Sequence, residues 1–218
     1  MENVRREIKT RDTKWARELA KFLCEKTNLT PNAISVLSVI FSILAFFDFC
    51  LYPILNEKFY PILAIFGIIF IQLRLLCNLM DGMVAIEGGK KSPVGDIYNE
   101  FPDRLSDSFI IIGFGVMGET TLSLVFGLLG ALFAMFTAYT RVLGGAIGVE
   151  QKFLGPMAKQ HRMALLTFGS FICIFEFLLK GLHTFISPAF LIIVTIGSAI
   201  TVKRRVDYIA KCLMEKNG

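Results

Sequence analysis

The strongest constraint on this chain is its run of apolar stretches long enough to cross a bilayer. A spanning helix needs about 20 mostly apolar residues. Six stretches qualify: 33–55, 59–79, 96–117, 122–143, 164–182 and 185–202. The connections are short, so neighbouring helices should run antiparallel. The expected fold is therefore all-α: an integral membrane protein of six transmembrane helices. Composition agrees, since only 19% of residues are charged, against roughly 25% in soluble domains.

A different element precedes the first span. Between residues 4 and 25, Ile8, Trp15, Leu19, Phe22 and Leu23 recur at helical spacing. Arg5, Arg6, Lys9, Arg11, Lys14, Arg17 and Lys21 supply the polar part. Such a helix is expected to lie in the membrane interface. Thr30-Pro31-Asn32 then ends it and opens the first span, with proline at an N-terminal helix position. No linker, low-complexity tract or internal repeat divides the chain. One domain is expected over 1–218, with the interfacial helix in 1–29, the bundle in 30–205 and a cytoplasmic tail in 206–218.

Charge sets the orientation. With the N-terminus inside, only Lys58 and Lys180 of the 23 Lys and Arg fall in or near outer loops. Excess Lys and Arg mark cytoplasmic loops. The expectation is thus a multi-pass protein with both termini and the 78–107 stretch on the cytoplasmic side. The net charge of +5 sits beside apolar segments, which suits anionic lipid rather than nucleic acid. Cys24, Cys50, Cys77, Cys173 and Cys212 show no CxxC spacing and read as small buried hydrophobes.

Ionisable groups at membrane depth are costly and by default mark a functional site. They gather between Asn78 and Asp107. Asn78, Asp81 and Ala85 share one helix face, and Gly82 removes a side chain where a ligand or helix approaches. Past Gly95, a second helix places Asp96, Asn99, Glu100, Asp103 and Asp107 within roughly a third of its circumference. Two joined faces of hard oxygen ligands suit Mg²⁺, Mn²⁺ or Ca²⁺. Like charges this close need a cation between them. The bland alternative is helix capping and ion pairing with Lys90, Lys91 and Arg104. A second polar cluster comprises Arg141, Lys152, Lys159, His161 and Arg162. Arg141 and Arg162 lie nearest the helix ends and suit a phosphate or polar acceptor, whereas Lys152 and Lys159 read equally well as loop charge.

These residues resemble the CDP-alcohol phosphotransferase family, whose signature is D-x2-D-G-x2-A-R-x8-G-x3-D-x3-D. Here the pattern gives Asn78, Asp81, Gly82, Ala85, Ile86, Gly95, Asn99 and Asp103, with every spacing kept and five of eight residues identical. The segment from Leu29 to Ser35, with Asn32 in it, resembles the start of the family's first span, so the likeness covers nearly the whole chain. The resemblance implies transfer of a phosphatidyl-type group from a CDP-alcohol to a hydroxyl acceptor, with CMP released. It implies two divalent ions, Mg²⁺ or Mn²⁺, with Asn78, Asp81, Asn99 and Asp103 at the metal positions and Asp103 as general base. Gly82, Ala85 and Gly95 would leave room for the nucleotide. It also implies a homodimer in the membrane.

Three departures qualify it: Asn at 78 and 99, and Ile86 where the family has arginine. Asp107 lies one turn beyond Asp103 and extends the acidic set, which suggests a shifted site using one metal or a different base. Arg104 or Lys91 is expected to supply the missing arginine contact. Arg141 and Arg162 suggest an anionic acceptor such as glycerol phosphate or inositol phosphate. Two other readings stay open: a degenerate nucleotide-binding member without turnover, and a cation-binding transporter.

Overall fold

The computed structural model describes residues 9–89, 93–180 and 184–217, and those residues form helices and turns without a strand. A 3₁₀ turn at Lys9–Asp12 leads into α1 (Lys14–Lys26). Six long helices follow: α2 (Pro31–Cys50), α3 (Tyr60–Glu87), α4 (Gly95–Met117), α5 (Thr121–Ala146), α6 (Lys159–Lys180) and α7 (Ile186–Asn217). Five of them, α2, α3, α5, α6 and α7, are long and apolar enough to cross a membrane. Here the structure differs from the expected six. The remaining helix, α4, is 23 residues long but carries Asp96, Glu100, Asp103, Arg104 and Asp107, so the acidic face itself lowers its hydropathy.

Local chemistry fixes where the helices begin. The side chain of Thr30 accepts from the backbone N–H of Ala33 at 3.2 Å, with Pro31 next, and starts α2. Thr120 accepts from Ser123 N at 3.0 Å and starts α5. Each cap satisfies one of the donors a helix start leaves open. The start of α7 is capped from another helix: Glu176 of α6 accepts from the backbone of Phe185 and Ile186 at 3.0 and 3.2 Å.

Two helices outrun their apolar stretches. α3 continues from residue 79 to Glu87, and α7 runs through the expected tail to Asn217. Apolar counting finds the lipid-crossing part only. Backbone hydrogen bonds carry a helix on through polar residues, and this extension holds Asp81 and Gly82 in helical register with Asn78.

α2 packs chiefly on α3 and α4, α5 on α4 and α7, and α6 on α3 and α7. Their core includes Phe49, Ile71, Ile110, Phe114, Met163, Leu166 and Leu191. Small residues set the closest approaches. A side-chain carbon at Gly115 would lie 3.1 Å from the Cα of Gly127, and one at Gly113 would lie 3.0 Å from the backbone of Phe46. Gly118 and Gly130 likewise face neighbours within the bundle. These glycines thus serve contacts inside one chain.

α1 lies across α3. Ala16 and Ala20 are fully buried against a second cluster that includes Ile34, Cys77, Met80, Met83 and Val84. Trp15 and Phe22 point away and remain half exposed. The apolar face expected to meet lipid is therefore split, one side against protein and one side free. Ile8, assigned to that face, lies outside the described residues. All five cysteines are free thiols; Cys77 and Cys173 are buried.

Candidate active site

Asn78 near the middle of α3 and Asp103 on α4 meet side by side. The Nδ2 of Asn78 donates to Asp103 Oδ1 at 2.8 Å. From the start of α6, Lys159 Nζ donates to Asn78 Oδ1 and to Asp103 Oδ2, both at 2.5 Å. Only one amide orientation satisfies this arrangement, oxygen toward the ammonium and nitrogen toward the carboxylate.

A second carboxylate lies one turn deeper. Arg74 of α3, fully buried, donates through Nη2 to Asp107 Oδ1 at 2.7 Å and to Asp103 Oδ1 at 3.3 Å. Arg162 of α6 donates to Asp107 Oδ2 at 2.5 Å and to the carbonyl of Met157 at 3.1 Å. The result is a continuous buried chain, Arg162–Asp107–Arg74–Asp103–Lys159–Asn78. Removing one member of a buried ion pair costs about 3–5 kcal/mol, because its partner keeps an uncompensated charge.

Toward the solvent side, Glu100 accepts from Arg104 and from Arg141, each at 2.5 Å. Arg141 also donates to Gln151 and stacks over Phe153. Arg205 of α7 is held by the carbonyls of Leu154 and Thr137. These groups surround an open cavity of about 360 Å³. Asn78, Gly82, Asn99, Asp103, Arg141 and Arg162 line it, as do Asp96, Glu100, Arg104, Lys159, Arg205 and Arg11.

Of the residues expected from sequence, Asn32, Asp81, Ala85, Gly95 and Asp107 do not line the cavity. Asp81 is buried beside it, accepting from Ser35 Oγ at 2.8 Å and from the Gly82 N–H at 2.5 Å. Asp107, expected as an extra metal ligand, instead has each oxygen taken by a guanidinium. Lys91, proposed to replace the missing arginine, lies outside the described residues, as does Lys90. Arg104 lines the cavity but is paired with Glu100. The guanidinium that lies over Gly82 belongs to Arg11: a side-chain carbon at Gly82 would sit 3.4 Å from it.

The acidic excess expected to require metal is thus largely met by the protein. The buried chain sets three cations against two carboxylates. Among the described residues, no three Asp, Glu, His or Cys side chains gather to hold a metal. Asp103, Asn78 and the exposed Asn99 retain acceptor capacity on the cavity wall. Such a set fits one hard cation, with water and phosphate oxygens completing its shell.

Sequence reading passed over Arg74 and Arg205 and left Lys159 undecided. Arg74 had a legible signal, since an arginine inside an apolar span is costly and needs a partner. Lys159 had none, because a lysine in an inner loop is what orientation alone requires.

The helix bundle and the polar site within it point to one family. The chain belongs to the CDP-alcohol phosphatidyltransferase family, whose profile matches residues 28–202. Among curated proteins it is 28% identical over 141 residues to the inner membrane protein YnbA of Escherichia coli, covering 65% of this chain and 66% of that protein. It is 27% identical over 154 residues to a phosphatidylinositol phosphate synthase of Streptomyces avermitilis, covering 68% of this chain and 63% of that one. An archaetidylinositol phosphate synthase of Aeropyrum pernix is 29% identical over 144 residues, with 66% and 69% covered. The matched region thus spans just under two thirds of the first two relatives. The fold is that of Mycobacterium tuberculosis phosphatidylinositol phosphate synthase. Its structure with CDP-DAG bound superposes with TM-score 0.69 at 17% identity, over 88% of this chain and 92% of that one. Its structure with manganese and citrate superposes with TM-score 0.70 at 18% identity, over 88% of each chain.

Proposed function

We propose that this chain transfers a phosphatidyl-type group from a CDP-alcohol to a hydroxyl acceptor in phospholipid biosynthesis. The observation that carries the reading is the open cavity in which the α3 and α4 motif faces meet a wall of arginine and lysine. Family membership and the CDP-DAG complex of the M. tuberculosis relative support the donor. In the reaction, the acceptor oxygen forms a bond to the lipid-bearing phosphorus. The bond from that phosphorus to CMP breaks, and CMP leaves with the electron pair.

Each group has a role that its placement supports. Gly82 and the Arg11 guanidinium above it receive the diphosphate, with Lys159 offsetting its charge. A divalent ion, Mg²⁺ or Mn²⁺, held by Asp103 with Asn78 and Asn99, would stabilise charge on the phosphate oxygens. Asp103 takes the acceptor's proton, because it is the buried carboxylate that reaches the cavity; Asp107 does not. Asp81 keeps the α3 face rigid through Ser35, while Ala85 and Gly95 leave the loop side open to the nucleotide. Arg141, Arg162 and Arg205 favour an anionic acceptor, and two of the curated relatives are named as inositol phosphate lipid synthases. Asn32 follows the α2 cap and stays a lesser candidate for donor contact.

On this reading α4 is the sixth span, the cavity opens to the cytoplasm, and the Trp15 and Phe22 side of α1 rests in the lipid interface. The chain works as a homodimer and as one domain. Incubation of the lipid-embedded protein with CDP-diacylglycerol, Mg²⁺ or Mn²⁺ and a panel of alcohols tests the activity. CMP release with one acceptor, strongest for a phosphorylated polyol, is expected. Its absence with every acceptor, in folded protein, would refute the proposal.

A further inference from the structure

We infer that Lys159 is a built-in cation standing between the α3 and α4 faces in place of one divalent ion, so that the chain takes up at most one metal with its donor. The inference rests on the donor reading above but is carried by its own geometry. The ammonium touches both faces at once, 2.5 Å from Asn78 Oδ1 and 2.5 Å from Asp103 Oδ2. Lys159 is the first residue of α6. That is the positive end of the helix dipole, where a cation is disfavoured, so its position depends on the acceptors opposite. Its side chain is only 19% exposed.

Asn78 is the complementary half of the arrangement. An amide accepts from the ammonium through oxygen and donates to Asp103 through nitrogen; a carboxylate does only the first. Aspartate at position 78 would set a second carboxylate 2.8 Å from Asp103 Oδ1, tolerable only with a stronger cation between the two. Asparagine with lysine, or aspartate with a metal, are the two self-consistent pairs. This chain has the first. Asn99, also neutral, removes a further charge that a second metal would need.

The test is a Mn²⁺ titration of the full chain in lipid nanodiscs, free ion read by electron paramagnetic resonance. Wild type, K159R, K159Q and the N78D/K159Q double variant are compared, with gel filtration confirming each fold. Wild type and K159R should bind no more than one Mn²⁺ per chain. K159Q should bind the ion at least about tenfold more tightly, because a like charge about 4 Å away is removed, and the double variant should take up one more. Two ions on wild type, or unchanged number and affinity in K159Q, overturn the inference. If the double variant fails to fold, K159Q against K159R decides alone. Thermal shift with CDP-diacylglycerol separates the two levels. Stabilisation in EDTA supports the built-in cation. Stabilisation only with two bound Mn²⁺ refutes it and leaves the donor reading standing. No stabilisation in any condition, with tighter Mn²⁺ in K159Q, refutes the donor and keeps the cation.

Discussion

Each buried charge in the site has a named partner, so single substitutions should have separable effects. Arg74→Ala would leave Asp107 and Asp103 short of a guanidinium at a fully buried position. A loss of about 3–5 kcal/mol is expected, read as a lower unfolding temperature in detergent or as failure to accumulate. Asp103→Asn keeps the size of the side chain and removes the proposed base. Turnover should fall by about 10²–10⁴-fold while CDP-diacylglycerol still binds, a split that CMP release and equilibrium binding together report. Asn78, Asn99 and Asp103 were legible as residues of one polar site, and all three line the cavity, because helical spacing survives in the sequence. Lys159 and Arg11 were not, because each reaches the site from a distant segment whose own pattern asks only for surface charge.

The helices themselves were mostly legible, because a long apolar run has few alternatives. Their ends were less so, since residues 206–217, expected as a tail, are polar yet helical. The stretch 96–117 was read as a span, but the charged residues of α4 set it apart from the five helices apolar enough to cross a membrane. Packing between helices was the least visible. The contact of Gly115 with Gly127 depends on how α4 and α5 face each other, which periodicity leaves undefined. Gly127→Leu should force that crossing apart and cost about 1–3 kcal/mol, measured as a lower midpoint of thermal unfolding. The loss should be much smaller for Gly95→Ala, where no atom lies within 4 Å of an added side-chain carbon.

For the molecule as a whole, the proposed orientation rests on where the basic residues fall. Cysteines placed at Lys58 and at Lys152 should differ in sealed, right-side-out vesicles: an impermeant maleimide should label the first and spare the second. Equal labelling would remove the orientation argument. The central claim concerns a particular bond, so it is best met by watching that bond. In ³¹P NMR of CDP-diacylglycerol with the lipid-embedded protein, the paired diphosphate resonances should be replaced by CMP and a phosphodiester when a phosphorylated polyol and Mg²⁺ or Mn²⁺ are present. The same conversion should be absent from Asp103→Asn. Diphosphate resonances that persist with every acceptor, in protein shown to be folded, would contradict the account.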